Sequence, residues 1–236
     1  MKLKYISLLL LALSARFLAQ GQIKYIPPTA HAFSIGIGAG ITELYGDFYG
    51  KPKEPSFWGD VNYNITPYFC AGIQGQYGNL TTGGLDVTKK ADGFYIKNAY
   101  STVNANVRLS LGAFFTHATP TTFLVILSGV YGGAGYGIIH NDITTSTRGG
   151  LNQESIMHGV IKSSSFVGNV PLNVGIDVTL PRIIGITGLV ANANYQYNIC
   201  QSDYVDGYDP NIQFNKHNDT YTYISVGLRY NFGRIR

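Results

Sequence analysis

From Ala32 onward, apolar and polar positions alternate with a period of two. Phe33, Ile35, Ile37, Ala39 and Ile41 interleave with Ser34, Gly36, Gly38, Gly40 and Thr42. The pattern returns over Phe57–Ile65, Phe69–Tyr77, Thr102–Leu111, Thr122–Ile139, Leu172–Leu180, Leu189–Asn198 and Ile224–Phe232. A period of two puts alternate side chains on opposite faces of a strand, so the chain predicts eight strands. No stretch has the 3.6-residue periodicity of an amphipathic helix of useful length.

The fifth segment differs from the others. Thr122–Ile139 carries no Asp, Glu, Lys or Arg, which raises the alternative of a membrane helix. Gly129, Gly132, Gly133, Gly135 and Gly137 disfavour a helix, and Val125, Ile126 and Val130 favour a strand. The reading is a strand with a small inward face and a bulge near the glycines.

The connections alternate in length. Short ones follow the even segments, at Thr66–Pro67, Gly112–Thr121 and Pro181–Gly185. Long ones follow the odd segments, over Tyr45–Pro55, Leu80–Lys97, His140–Ser165 and Cys200–Asn218. Short turns on one side and long loops on the other match an eight-stranded antiparallel transmembrane β-barrel, with short periplasmic turns and long extracellular loops.

The N-terminus fits export. Lys2 and Lys4 precede an apolar run from Ile6 to Ala15, and Ala19-Gln20-Gly21 supplies small residues for cleavage. The run is too short for a membrane helix, which needs ~20 residues. The expected organisation is a signal peptide over 1–21, a periplasmic N-terminal segment over 22–31 and an outer-membrane barrel over 32–236. A Gram-negative outer membrane is then the expected location.

A soluble, lipocalin-like barrel would hide its apolar face, whereas a membrane barrel exposes it. Export favours the membrane form, and so do the mid-strand charges. Asp60, Arg108, Asp177 and Arg229 sit on the polar face, where a narrow lumen would let them pair; in lipid each would cost several kcal/mol. They are the candidate lumenal charge network. Aromatics near strand ends, such as Phe57, Tyr63, Tyr195, Tyr197, Tyr230 and Phe232, suit interfacial girdles.

Composition then falls into place. Only 13% of the 236 residues are charged, against ~25% in ordinary soluble proteins, as expected if one face of every strand meets lipid. The formal charge of +4 hints at acidic partners, but removing the signal leaves 14 basic against 13 acidic residues. Nucleic acid is therefore not an expected partner.

Candidate chemistry is sparse. Gly36-Ile37-Gly38-Ala39-Gly40 lacks the following helix that a nucleotide loop requires. His140, His158 and His217 lie in long loops without ligand spacing. Asp203, Asp206 and Asp209 recur every third residue but lack a calcium-loop pattern. Ser155, His158 and Asp142 are the components of a hypothetical rim enzyme, with nothing in the sequence to fix their geometry. The expectation is a non-enzymatic protein with no cofactor and no metal. Cys70 and Cys200 fall at opposite ends of a barrel ~25 Å tall, too far apart for a disulfide, so both are expected as free thiols.

The last segment carries a further signature. Ser225, Gly227, Tyr230 and Phe232 fit the polar-x-Gly-x-x-aromatic-x-aromatic pattern read by the barrel-assembly machinery, followed here by Gly233–Arg236. Partners expected from these readings are outer-membrane lipid and that machinery.

Several loop motifs carry a resemblance: Tyr45-Gly46-Asp47 after the first segment, Asp203-Tyr204-Val205-Asp206 after the seventh, and Asn218-Asp219-Thr220-Tyr221 before the eighth. Together they resemble small outer-membrane barrels of Bacteroidota, in the PorG-like group associated with type IX secretion. That resemblance implies a non-enzymatic membrane anchor whose periplasmic turns touch secretion-ring proteins. In the group the second motif is often Asp-Tyr-Leu-Asp-Asp, and Val205 and Gly207 depart from it. The outward long loops suggest a surface-exposed, ligand-binding or adhesin-like barrel as the alternative.

Overall fold

The computed structural model describes residues 31–46, 51–83, 94–114, 122–147, 159–161, 163–180, 187–202, 204–206, 208–210 and 218–233. The expected signal peptide over 1–21 and most of the expected N-terminal segment over 22–31 therefore lie outside the described residues.

All eight alternating segments contribute strands. In chain order these are β1 (Phe33–Tyr45), β2 (Glu54–Asn64), β3 (Phe69–Gly83), β4 (Phe94–Ser110), β5 (Val130–Thr147), β7 (Ser164–Thr179), β8 (Leu189–Cys200) and β10 (Thr220–Phe232). They close into an antiparallel barrel in the cyclic order β1-β10-β8-β7-β5-β4-β3-β2. β1 completes the ring by pairing with β2 on one side and β10 on the other, with Gly36 opposite both Asp60 and Arg229. Two further strands, β6 (Gly159–Ile161) and β9 (Tyr208–Pro210), pair outside the barrel and tie two of the long loops together.

Side-chain burial is inverted relative to a soluble protein. Ile37 (71% exposed), Val226 (64%) and Ile73 (61%) face outward, while Asn104, Asn169 and Gln196 are fully buried. The apolar half of each alternation thus forms the outer surface and the polar half fills the interior. No described helix is long and apolar enough to cross a membrane.

The fifth segment departs from the strand reading. Thr122–Ser128 forms a short helix, α1, and the strand begins only at Val130. The aliphatic run therefore lies outside the sheet, where β propensity has no cross-strand partner to act through. The expected bulge is not present. β4 and β5 keep one register from Phe94↔Thr147 to Ser110↔Tyr131, with the glycines in line. The ladder with β7 lapses only between Ala134↔Leu172 and Gly137↔Asn169, where Pro171 has no amide to donate.

The strands also outrun their sequence limits. β3 continues to Gly83, β4 starts at Phe94 and β5 reaches Thr147. Outward positions there include Lys97, Ala99, Ser101 and Asp142, so the apolar alternation fades although the hydrogen-bonded ladder continues.

Candidate functional site

The interior has three layers. At the end where β1 begins and β10 ends, the layer is ionic. Arg229 donates from Nε and Nη2 to Asp60 Oδ2 at 3.0 and 2.9 Å, and from Nη1 to Asp177 Oδ1 at 2.8 Å. Arg229 stands on β10, with Asp60 two strands away on one side and Asp177 two strands away on the other. A planar guanidinium fork can serve both carboxylates at once, which a lysine ammonium does less well. Its Cζ also sits 5.1 Å from the Trp58 ring. Trp58 reaches across β1 and β10 because Gly38 and Gly227 have no side chain; a Cβ on Gly38 would stand 2.5 Å from the indole Nε1.

Arg108 completes a ring but not an ion pair. Taken every second strand, the wall carries Arg229, Asp177, Arg108 and Asp60, alternating in sign. Of the four charges expected to form the lumenal network, Arg229, Asp60 and Asp177 are joined by ion pairs among the described residues, and Arg108 lines the same cavity as Asp60 and Arg229 without a direct bridge. Arg108 sits in the pairing row of Cys70 and Asn64, four positions along β2 from Asp60. Its guanidinium lies over Tyr131 instead, with Cζ 5.3 Å from the ring centroid. Its Nη1 is buried without a hydrogen-bond partner, and Asn106 Oδ1 is likewise unpartnered. Both residues line a cavity of about 10 Å³. That volume suits about one water, which would meet a donor and an acceptor there. Tyr131 also ties the charges to the neighbouring amides. Its hydroxyl donates to Asn194 Oδ1 at 3.0 Å and accepts from Asn192 Nδ2 at 2.9 Å, while Asn192 Nδ2 also reaches Asp177 Oδ1 at 2.7 Å.

The middle layer is a lattice of amides. Gln76 Nε2 donates to Gln196 Oε1 at 2.8 Å, and Gln196 Nε2 donates to Asn198 Oδ1 at 2.7 Å. Asn169 Nδ2 lies 3.1 Å from Asn198 Oδ1 and 3.2 Å from Asn104 Oδ1. Side chains therefore cross-link opposite walls, and the lumen is filled.

The layer nearest the long loops is apolar. Leu44, Leu80, Tyr100, Ile139, Val167, Cys200 and Tyr221 converge from seven strands, and Val205 joins them from the connection after β8. Val205 is fully buried. Three contacts hold it there. Asp219 Oδ2 accepts the amides of Val205 and Asp206 at 2.9 and 3.0 Å, and Asn98 Nδ2 donates to the Val205 carbonyl at 2.7 Å. The chain thus turns back into its own mouth as a stopper.

The two loop motifs meet at this stopper. Gly46 lies against Asp206, so a Cβ on Gly46 would stand 2.5 Å from Asp206 Oδ2. Tyr45 and Tyr204 belong to the same region, whereas Asp47 and Asp203 lie outside the described residues. Sequence reasoning missed Val205, Asn98 and Asp219 as working parts. Val205 and Asp219 stand out in the sequence only as members of the loop motifs, and Asp219 carries a further signal, a carboxylate just ahead of a strand, where it can accept free backbone amides.

The remaining candidates separate. Ser225 and Gly227 face the lumen, and Tyr230 and Phe232 face outward with ring centroids 6.1 Å apart. Gly36–Gly40 lies within β1. His140 packs on Phe166 at 4.6 Å between ring centroids, and Asp142 is exposed on β5. Ser155, His158 and His217 lie outside the described residues. Asp209 is in β9, and among the described residues no three His, Cys, Asp or Glu side chains group to hold a metal. Cys70 and Cys200 are both free, at opposite ends of the barrel.

The sequence matches the model of the outer membrane protein beta-barrel domain over residues 6–232. No curated protein matches it. Among solved structures it is similar to Neisserial surface protein A, at 15% identity over 85% of this chain and 97% of that one, with a TM-score of 0.48. It is also similar to Ail, the attachment invasion locus protein of Yersinia pestis, at 14% identity over 85% and 97%, TM-score 0.45. Outer membrane protein AlkL gives 12% identity over 87% and 93%, TM-score 0.44.

Proposed function

From the premise that this chain belongs to the outer membrane protein beta-barrel domain family, we propose that it serves as a closed, non-enzymatic anchor in an envelope complex. It is a small barrel of the Gram-negative outer membrane, with its lipid-facing side made by the apolar half of each strand. The observation that carries the proposal is the blocked lumen. Charges fill one end, amides cross the middle, and Val205 stoppers the mouth. A barrel that passes nothing works through its two faces. The PorG-like motifs suggest the complex: periplasmic ring proteins of type IX secretion on one side, with the barrel-assembly machinery acting earlier, during insertion. In-cell cross-linking followed by purification tests this. Co-purified periplasmic ring proteins, with loss of secretion on deletion, are expected. A barrel recovered alone from cells whose secretion is intact would overturn the reading.

One observation favours a second reading, a surface-exposed ligand-binding barrel. The β3–β5 wall rises beyond the apolar band, and β6 with β9 ties two long loops together. Under that reading, trimming 84–93 or 148–158 abolishes surface binding and leaves secretion unchanged.

A further inference from the structure

Among the described residues, the outward-facing aromatic side chains at the periplasmic strand ends cluster on half of the barrel's circumference. Tyr230 and Phe232 on β10, Phe33 on β1, Tyr63 on β2 and Phe69 on β3 form that half. Phe33 holds it together, 5.3 Å from Tyr63 and 5.8 Å from Phe232 between ring centroids. The other four strands, β4, β5, β7 and β8, offer Leu109, Val130, Val178 and Leu189 at that level. Membrane barrels normally carry a girdle of aromatics around each interface, where rings sit among the headgroups.

The connection between β4 and β5 supplies the missing rings. A 3-10 turn over Leu111–Phe114 directly follows β4, and α1 directly precedes Gly129 and β5. Phe114 and Phe123 are each 70% exposed, and Ile126 is 41% exposed. The segment is fixed to the rim. Gly112 is buried where a Cβ would collide with the Tyr68 ring, and the Gly129 carbonyl accepts the Asp177 amide of β7 at 2.9 Å. The chain carries no Asp, Glu, Lys or Arg between Arg108 and Asp142. This apolar surface therefore continues the lipid-facing band without a charged border between them.

We propose that Phe114, Phe123 and Ile126 seat in the headgroup region of the periplasmic leaflet. There they act as an in-plane anchor that completes the aromatic girdle over β4, β5 and β7. The occupant of this face is lipid. Isolated apolar side chains at such a boundary gain burial from the acyl region while the backbone stays near water.

The test places a reporter at each ring. Phe123→Trp and Phe114→Trp are folded into phospholipid vesicles, and the emission of the unaltered protein, whose one tryptophan is Trp58, is subtracted. The expected difference spectrum is blue-shifted, strongly quenched by lipids brominated near the headgroup, and little affected by acrylamide. Water-like emission that acrylamide quenches and brominated lipid does not would overturn the proposal and leave the face to a periplasmic protein. Ile126→Trp provides a third reporter if either aromatic variant loses heat-modifiable migration on gels.

Discussion

Arg229 is the residue on which the periplasmic half of the lumen turns. It is 4% exposed and serves two carboxylates from opposite sides. Arg229→Met leaves Asp60 buried without its counter-charge, and losing one partner of a buried pair costs about 3–5 kcal/mol. Urea unfolding in vesicles should report a loss of that size. The double replacement with Asp60→Asn should recover part of it, because the orphaned charge is then gone. Gly46 makes a second residue-scale prediction. Gly46→Val drives a branched side chain into Asp206, so proteolysis in the segment after Cys200 should accelerate while the barrel keeps its heat-modifiable migration. The lumenal charges were legible as mid-strand ions on a polar face. Which carboxylate meets which arginine was not, because Asp60, Asp177 and Arg229 come from strands far apart in sequence that meet only on closure.

At the scale of elements, alternation located every barrel strand but not the strand ends. A period of two is a record of two different solvents on two faces. Where Lys97 and Ser101 face water on the outside, that record stops, although β4 and β5 stay paired up to Phe94↔Thr147. Thr122–Ser128 escapes the strand reading for another reason: aliphatic and β-branched residues favour a strand only where a neighbouring strand offers cross-strand partners, and this segment lies outside the sheet. Burial inversion makes a depth-dependent prediction. Val226→Arg, on the lipid face of β10, should cost about 2–4 kcal/mol, and Tyr45→Arg at the rim about 0–1, both read by vesicle unfolding. The stopper makes another. Asp219→Ala strands the Val205 and Asp206 amides, each a buried donor worth about 1–3 kcal/mol when unpaired. Protection of those two amides from hydrogen exchange should fall while the β8–β10 ladder stays protected.

For the whole molecule, closure is the organising fact. In lipid every backbone amide and carbonyl needs a partner, and a ring of eight strands with no free edge provides one. The polar inner faces then confront one another across a space narrow enough for arginine and glutamine to span it. The mouth is closed by a different chemistry, an apolar cluster completed by the chain's own loop. The sequence motifs that suggested a family turn out to build this closure: Gly46 and the Tyr204–Asp206 segment pack together at the mouth. No local pattern could have revealed that, since the two motifs stand at opposite ends of the chain.

A closed barrel and a pore differ in one direct observable, the current through a planar lipid bilayer containing the folded protein. For the unaltered protein no stepwise conductance above the bare membrane is expected at any moderate voltage. Stable, ohmic steps would show an open lumen and overturn the closed-barrel reading.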